Sequence, residues 1–404
     1  MIGAILGDII GSIYEHNNVK NKDFPLFSFN SRYTDDSVMT LAVAEAMMRY
    51  VLCDDGMSPD QIAAHYMHLW GREYMYAGYA GRFMNWIMQD DYRPYNSYGN
   101  GSAMRVSSVP WIFRDDFDVM RNMARATAMP THDHPEGIKG ADAIASAMGL
   151  ALLGESKETI RAYIEKEFNY DLQRNCDEIR PTYKMNPTCQ GSVPEAIIAF
   201  LDGNDYEDVV RNAVSIGGDS DTIAAIAGGI AEAYFGIPDK LATKFKEYLT
   251  REQLYIVDCF NDFTAGDNNH VWDALDNLSE WRILEANNSL DNAIIEYREN
   301  STEEKYIAFL EQIRHRLNAG HICGLSDIKD KEGNNWVAIK TRISLEESYK
   351  QKYNSFQFTD LKVALMEALN KDSIEGVVIN PGTDQMGFLS KGDIREVFRV
   401  NELL

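Results

Sequence analysis

Three stretches of the chain are apolar nearly all the way round a helix, which restricts the fold more than any other feature. They lie at 38–50 (VMTLAVAEAMMRY), 140–153 (GADAIASAMGLALL) and 222–235 (TIAAIAGGIAEAYF). A helix without a polar face must be enclosed by other helices or by lipid. No run of about 18 apolar residues is present, so no membrane span is predicted. The three stretches therefore predict a helical domain around a buried centre.

Other segments of the first 250 residues follow the helical period, and few alternate with a period of two. Pro59 occupies a favoured first-turn position for a helix that runs to Trp70. The sequence SVPE at Ser192 is typical of a capping box and predicts a helix that ends at Leu201. This part of the chain is thus predicted to be nearly all α.

The character of the sequence changes near residue 265. Turn-rich segments occur at 265–270 (AGDNNH) and 287–292 (NNSLDN). Beyond them the patterns predict an amphipathic helix at 303–317, strands at 336–341 and 376–379, and a helix with a threonine cap at 359–369. Mixed elements after an all-α segment indicate a second domain. We predict a mainly α fold, with a compact all-α domain over 1–265 and a small α+β domain over 290–404.

Composition limits the class of protein. The chain has 39 Lys and Arg against 62 Asp and Glu, a net charge of −23, which argues against a nucleic-acid partner. Five widely spaced cysteines without a CxxC pair do not support a zinc ribbon and favour reduced thiols in the cytoplasm. Asp8 interrupts the first apolar segment and no basic residue precedes it, so a secretory signal is not predicted.

Two short acidic segments stand directly before two of the apolar helices. They are TDDS at 34–37 and GGDSDT at 217–222. Acidic helix caps explain one carboxylate per helix but explain two carboxylates and a threonine at both helices poorly. Oxygen ligands without His or Cys suit hard ions such as Mg²⁺, Mn²⁺ or Ca²⁺. The glycine pair Gly217-Gly218 permits a sharp turn that aims both aspartates at one centre. A metal site and simple caps both remain open at this point.

Three further features carry weaker signals. The GNGS sequence at 99–102 opens a predicted helix and can present consecutive backbone N–H groups to a phosphate, although most such sequences are plain turns. His132 and His134 stand two residues apart, but no cysteine supports a transition-metal site, so contact with a ligand or a surface loop is favoured. Glu15, taken alone, is most simply a solvated residue.

Taken in order, five segments resemble the ADP-ribosylglycohydrolase family, relatives of the dinitrogenase-reductase-activating glycohydrolase. The segments are GAILGDIIGSIYE, YTDDSVMT, SYGNGSAMR, THDHPEGIKGA and SIGGDSDTIAAIAGGIAEAYFG, and together they span most of residues 1–240. The resemblance implies a compact all-α domain with a centre of two metal ions, Mg²⁺ or Mn²⁺. The C-terminal part, with INPGTDQMGFLSKGDIREVF at 379–398, faintly resembles the SseB-like domain, which implies no chemistry here.

The family resemblance implies roles for individual residues. The metal ligands would be Thr34, Asp35, Asp36, Asp219, Asp221 and Thr222. The diphosphate would lie on Asn100, Gly101 and Ser102, and His132 would line the ADP-ribose cleft. The catalytic residues would be Asp35, Asp36 and Asp219, together with Glu15, which matches a mobile glutamate that gates the site or acts as a base.

The resemblance implies hydrolysis of the glycosidic bond between ADP-ribose and an acceptor. Arginine-linked ADP-ribose on a protein is the first expectation for the acceptor. Serine-linked ADP-ribose, O-acetyl-ADP-ribose and modified nucleic acid remain open. Two rival functions are a two-metal phosphohydrolase and a non-catalytic ADP-ribose-binding or structural paralogue. Arg105 is the one cation near the candidate phosphate loop in the sequence, which weighs against the phosphohydrolase, and the complete ligand set weighs against the paralogue.

Overall fold

The computed structural model describes residues 1–279 apart from 54–55 and 90–91, and a smaller part of the remaining chain. The described part after 279 consists of residues 282, 305, 310 and 365 and the segments 322–329, 335–340, 357–360, 374–379 and 387–395. By contacts the chain divides into two compact units, Met1–Leu275 and Asp276–Leu404. No helix in the described residues is long and apolar enough to cross a membrane.

The first unit consists of helices joined by loops. The α-helices are α1 (Ile2–Gly11), α2 (Asp35–Leu52), α3 (Pro59–Glu73), α4 (Gly81–Met88), α5 (Gly101–Met104), α6 (Val109–Ile112), α7 (Phe117–Ala128), α8 (Pro135–Leu152), α9 (Lys157–Phe168), α10 (Cys176–Ile179), α11 (Cys189–Asp202), α12 (Tyr206–Ile216), α13 (Ser220–Phe235) and α14 (Arg251–Ala265). Single 3₁₀ turns occupy Val106–Ser108 and Lys244–Glu247. The predicted mainly α fold is confirmed.

The three apolar stretches form the buried helices α2, α8 and α13, as predicted. In α2 every residue from Asp36 to Arg49 is buried, and in α13 every residue from Ser220 to Ala231. Small residues permit the close packing of α8, since a Cβ atom on Gly140 would lie 2.4 Å from the sulfur of Cys189. The polar residues at the starts of α2 and α13 are therefore carried into the interior by helices that cannot be exposed.

The predicted start of the helix at Ser192 is wrong. Helix α11 begins three residues earlier, where the Thr188 side chain accepts a hydrogen bond from the Gly191 amide, and Pro194 lies inside the helix. Thr188 also pairs with Gly99 in an isolated antiparallel bridge. This long-range pairing fixes the position of the cap, and the local SVPE pattern contains no trace of it.

Helices α1 and α13 pack with their backbones in contact. A Cβ atom on Gly7 would lie 2.1 Å from the carbonyl oxygen of Ala224, and one on Gly11 would lie 2.4 Å from the Cα atom of Asp221. Gly217 and Gly218, with φ of 75° and 72°, form the turn that leads into α13. Both are left-handed conformations that glycine adopts without strain, as the sequence predicts.

The helical residues 268–279 extend past the predicted end of the first domain at 265. Val271 and Leu275 are fully buried, and the Leu275 carbonyl accepts a hydrogen bond of 2.6 Å from Arg49 in α2. The first compact unit therefore extends to Leu275, past the predicted end at 265. The domain limits 1–265 and 290–404 otherwise remain predictions.

In its described residues the second unit contains a five-stranded sheet. Its strands are β1 (Ile322–Lys329), β2 (Asn335–Lys340), β3 (Gln357–Asp360), β4 (Ile374–Ile379) and β5 (Gly387–Ser390), in the order β3-β1-β2-β4-β5. All neighbours are antiparallel except β2 and β4. The predicted strands at 336–341 and 376–379 agree with β2 and β4.

One helix prediction in this unit is wrong at its start. Thr359 does not cap a helix but lies in β3, opposite Cys323. Residue 365 is helical, and most of the predicted segment 359–369 lies outside the described residues, as does most of the predicted helix at 303–317.

Candidate metal centre and substrate cleft

A cleft of about 490 Å³ lies where the starts of α2, α5 and α13 meet. Its lining gathers segments that are far apart in the sequence. The predicted site residues that line it are Glu15, Thr34, Asp35, Asp36, Asn100, Gly101, His132, Asp219, Asp221 and Thr222. Ser102 is the one predicted site residue absent from the lining.

Five carboxylates meet at one end of the cleft, and we call them the acidic cluster: Asp8, Glu15, Asp36, Asp219 and Asp221. Oxygen atoms of Asp8, Asp36 and Asp221 all lie within 4.8 Å of one another. The same holds for Glu15, Asp219 and Asp221. Two groups of three oxygen ligands that share Asp221 suit two neighbouring hard cations.

The electrostatics of the acidic cluster require a positive charge. In the described part of the chain, none of its four aspartates forms an ion pair with a Lys or Arg. Burial, and then repulsion from neighbouring carboxylates, holds the pKa of Asp36 and of Asp221 well above the usual range. A divalent cation between them would remove this repulsion.

One oxygen of Asp36 tests whether the residues fit a metal ion. Asp36 Oδ2 accepts a hydrogen bond of 3.1 Å from the Thr222 hydroxyl. Asp36 Oδ1 is fully buried and has no hydrogen-bond partner among the described residues. An orphaned buried carboxylate oxygen is costly unless a cation or proton satisfies it. The residues present therefore fit the hard cation that the family resemblance implies.

Asp8 is the functional residue that the sequence reasoning missed. It is fully buried in α1 and accepts hydrogen bonds from the backbone N–H of Thr34 (2.9 Å) and of Ser37 (3.1 Å). The hydroxyls of Thr34 (2.7 Å) and Ser37 also donate to it. The Asp8 carboxylate thus fixes the start of α2, in which Asp36 is the second residue. The available signal was a lone aspartate inside the apolar run GAILGDIIG.

Asp35 and Glu15 line the cleft and are half-buried, whereas the four aspartates of the acidic cluster are buried. Asp35 belongs to neither group of three oxygens. The other three carboxylates predicted as metal ligands, Asp36, Asp219 and Asp221, each belong to at least one group. Burial, followed by repulsion from Asp8, raises the pKa of Asp35 to about 8. Burial also raises the pKa of Glu15, and the nearby Asp219 adds to this. Both carboxyls are therefore easier to protonate than free ones.

The predicted phosphate loop offers fewer free N–H groups than expected. The amide of Gly99 donates to the Ser97 hydroxyl (3.1 Å) and the amide of Asn100 to the Pro187 carbonyl (3.0 Å). In the described part of the chain, the amides of Gly101 and Ser102 remain without an acceptor. The Asn100 side chain instead donates to Asp219 Oδ2 (2.6 Å), so it orients a member of the acidic cluster.

The side chains of Ser102 and His134 do not line the cleft. The Ser102 hydroxyl is fully buried and donates to the Gly137 carbonyl (2.7 Å), so this side chain packs α5 against α8 and does not face the cleft. His134 accepts a hydrogen bond from the Glu136 amide (3.1 Å) at the start of α8. His134 thus caps α8, and His132 is the histidine of the pair that lines the cleft.

The other end of the cleft is cationic. Arg82 and Arg105 line it together with His132, whereas Arg32 lines the cleft near Glu15. The sequence indicated Arg105 alone, because Arg32 and Arg82 are remote from the phosphate loop in the chain. The cleft therefore combines an anionic end suited to cations with arginines suited to an anion.

The family model for ADP-ribosylglycohydrolase matches residues 1–278. The chain belongs to the ADP-ribosylglycohydrolase family. Membership makes it a glycosidase-type hydrolase of the ADP-ribosylhydrolase class. The model covers every residue of the acidic cluster and the cationic end of the cleft, so the cleft lies in the ADP-ribosylglycohydrolase part of the chain.

Curated relatives agree with this membership. The chain is similar to the ADP-ribosylhydrolase ARH3 of Mus musculus, with 29% identity over 310 residues, 59% of this chain and 83% of the relative. The ARH3 of Homo sapiens is 28% identical over 310 residues, 59% of this chain and 84% of the relative. The ADP-ribosylarginine hydrolase Tri1 of Pseudomonas putida (strain GB-1) is 23% identical over 266 residues, 59% of this chain and 70% of the relative.

A solved structure also matches, described as an ADP-ribosylglycohydrolase-related protein complex. It is 24% identical, has a TM-score of 0.46, and the match covers 69% of this chain and 97% of that one. The ADP-ribosylglycohydrolase model ends at residue 278, so the SseB-like C-terminal domain stays a prediction.

Proposed function

We propose that this ADP-ribosylglycohydrolase cleaves the glycosidic bond of ADP-ribose attached to an acceptor, with two Mg²⁺ or Mn²⁺ ions held by the acidic cluster. The observation that carries the proposal is the pair of oxygen groups that share Asp221 at one end of the cleft. Asp36 and Asp8 complete one group, and Asp219 and Glu15 complete the other. The hydroxyls of Thr34 and Thr222 lie beside Asp36.

The two ends of the cleft have different roles: the acidic end acts on the ribose, and the cationic end binds the diphosphate. When bound, the ions would fix the ribose hydroxyls and acidify a water molecule. The carboxylates of the acidic cluster stabilise the positive charge that develops on the ribose as the acceptor leaves. Arg82 and Arg105, with the free amides of Gly101 and Ser102, suit the diphosphate at the cationic end.

Glu15 and Asp35 are our candidates for the base that takes a proton from water. Each lines the cleft, and each has a raised pKa that brings a carboxylate closer to the optimum for general base catalysis. Glu15 is the more exposed of the two, with 27% of its side chain accessible, which suits a residue that closes over a substrate.

We propose arginine-linked ADP-ribose as the acceptor class. Two considerations support it: the likeness to the ADP-ribosylarginine hydrolase Tri1, and the carboxylates of Glu15 and Asp35, which would attract a guanidinium leaving group. A cytoplasmic location is part of the proposal, because the described cysteines Cys53, Cys176, Cys189 and Cys259 are free thiols.

The experiment that tests the function presents several substrates to the full chain. Proteins carrying arginine-linked or serine-linked ADP-ribose, O-acetyl-ADP-ribose and ADP-ribosylated DNA are incubated with Mg²⁺, and the products are identified by mass spectrometry. We expect free ADP-ribose from the arginine-linked protein at the highest rate. Faster release from another acceptor would overturn the choice of arginine, and no ADP-ribose from any substrate would overturn the function.

A two-metal phosphohydrolase remains the second candidate, because three arginines line the cleft and not one. The same mass spectra distinguish it, since cleavage of the diphosphate releases AMP and leaves ribose phosphate attached to the acceptor. A non-catalytic ADP-ribose-binding protein would bind ADP-ribose and release no product. Family membership favours the glycosidase over both.

Replacement of Gly101 by valine is expected to weaken ADP-ribose binding by about 10- to 100-fold, the range of one lost charge-assisted contact. A Cβ atom there would lie 3.2 Å from the His132 ring, and the added methyl groups would fill the cleft beside it. Calorimetric titration of ADP-ribose measures the effect. Gly81 also lines the cleft, but a Cβ atom there meets nothing within 4 Å. Gly81→Val is therefore the matched control, and equal affinities of the two variants would remove Gly101 from the diphosphate site.

Stabilisation by Mg²⁺ is expected to increase with pH. The folded-state pKa of Asp36, Asp221 and Asp35 lies above the ordinary value of 3.8, so the metal-free protein loses stability as pH rises from about 4 toward 8. A cation binds the ionised carboxylates and offsets that loss. The increase in Tm on adding MgCl₂ should be larger near pH 8 than near pH 5, with KCl of equal ionic strength as the control. A pH-independent increase would contradict cation binding by these carboxylates.

A further inference from the structure

The buried Arg105 starts a chain of directed hydrogen bonds. Its side chain is almost fully buried, and in the described part of the protein it forms no ion pair with a carboxylate. Its Nη2 atom donates to the carbonyl of Thr127 (2.9 Å) and to the hydroxyl oxygen of Thr131 (2.8 Å). A guanidinium has donors and no acceptor, so the Thr131 oxygen must accept.

The Thr131 hydroxyl, which accepts from Arg105, is left to donate its own proton to His132. Its oxygen lies 2.7 Å from Nδ1 of the His132 ring, and no other acceptor for its proton is present among the described residues. A buried hydroxyl proton without an acceptor is costly. The hydroxyl therefore donates to Nδ1, and Nδ1 carries no proton. In a neutral ring the proton then belongs to Nε2.

The Nε2 edge of His132 faces the glycines of the cleft. A Cβ atom on Gly101 would lie 3.2 Å from Nε2, and one on Gly99 would lie 3.4 Å away. Nε2 has no hydrogen-bond partner in the described part of the chain, although the residue is 95% buried and lines the cleft. Burial, and then the positive charges of Arg105 and Arg82, lower the pKa of His132 well below its usual range. The ring is thus neutral.

We propose that Arg105 and Thr131 are positioning residues that fix His132 as the neutral Nε2–H tautomer, a hydrogen-bond donor directed at an anionic oxygen of the substrate. The inference rests on the proposed function in one respect, namely that this oxygen belongs to the diphosphate of an ADP-ribosyl group. It also assigns His132 to substrate binding and not to general base catalysis, because the unprotonated nitrogen Nδ1 faces Thr131 and not the cleft.

The tautomer is measured directly in the unmodified protein. Two-bond ¹H–¹⁵N correlation spectra of the full chain with ¹⁵N-labelled histidine separate protonated from unprotonated ring nitrogens, and His132→Gln identifies the signal. We expect an unprotonated Nδ1 and a protonated Nε2 near neutral pH. A protonated Nδ1, in either a neutral or a cationic ring, would overturn the inference.

Two variants test the positioning role. Thr131→Val removes the hydroxyl at similar volume, whereas Thr131→Ser retains it. For the valine variant we expect a mixture of tautomers and an ADP-ribose Kd raised by about 2- to 10-fold, the worth of one hydrogen bond, with unchanged Mn²⁺ affinity. The serine variant should match the wild type in all three. A valine variant with the wild-type tautomer and Kd would overturn the role of Thr131.

The same measurements separate this inference from the proposed function. ADP-ribose binding and turnover with the opposite tautomer would overturn the inference and leave the function. The Nε2–H tautomer without any ADP-ribose binding would overturn both the diphosphate assignment and the proposed function, while the structural relay from Arg105 would stand.

Discussion

Replacement of Asp221 by asparagine is expected to lower kcat/KM by more than about 100-fold, because even residues that only support metal ligands change metal affinity or activity by about 10- to 100-fold. Asp221 contributes to both groups of oxygens in the acidic cluster. Its loss would therefore weaken both proposed ion sites at once. Calorimetric titration with Mn²⁺ should show the loss of binding beside the loss of ADP-ribose release.

The same variant should remain folded. Asparagine has nearly the same shape, and the exchange removes one of several mutually repelling carboxylates. Without metal its Tm should equal or exceed that of the wild type. Asp239, an exposed residue after α13, supplies the control, since Asp239→Asn should change neither activity nor Mn²⁺ binding. Full turnover by Asp221→Asn would refute the assignment of the metal centre.

Replacement of Asp8 by asparagine is expected to lower Mn²⁺ affinity by about 10- to 100-fold. Two backbone N–H groups and two hydroxyls donate to this carboxylate. An asparagine amide offers one accepting oxygen and directs an NH₂ group at the remaining donors. Each buried donor left without an acceptor costs about 1–3 kcal/mol. We therefore also expect a loss of about 1–3 kcal/mol in the free energy of unfolding with saturating Mg²⁺, measured with urea.

The comparison of Asp8→Asn with Ser37→Ala isolates the role of the carboxylate. Ser37→Ala removes one donor together with its need for an acceptor and leaves the contacts of Thr34 intact. Its effect on Mn²⁺ affinity should be several times smaller than that of Asp8→Asn. Equal and small effects of both changes would show that Asp8 does not position the start of α2 for metal binding.

The helices around the cleft were predictable from their composition, because apolar residues on every side of a helix require it to be buried. An all-round apolar stretch such as 222–235 has no stable alternative to an enclosed helix. The turn at Gly217-Gly218 was predictable for an equally local reason, since only glycine adopts two successive left-handed conformations without strain. The acidic segments lie at the starts of α2 and α13, so the packing of these buried helices brings the two segments together.

The remaining features depend on pairings between distant residues. The start of α11 follows the bridge between Gly99 and Thr188, and the Asn100 side chain is directed by Asp219. Thr359 joins β3 because β1 lies beside it. In the sequence Asp8 only interrupts an apolar segment. Its hydrogen-bond partners Thr34 and Ser37 lie 26 and 29 residues further along the chain, so no local pattern indicates its role. No local pattern contains these contacts.

The most direct test of the proposed metal-dependent glycosidase uses one substrate, a protein carrying arginine-linked ADP-ribose. The wild-type chain and Asp221→Asn are each incubated with Mg²⁺ and with EDTA, and the products are identified by mass spectrometry. The proposal predicts free ADP-ribose and unmodified arginine from the wild type with Mg²⁺, and neither in the other three samples. Release of ADP-ribose in EDTA, or AMP as the product in Mg²⁺, would contradict it.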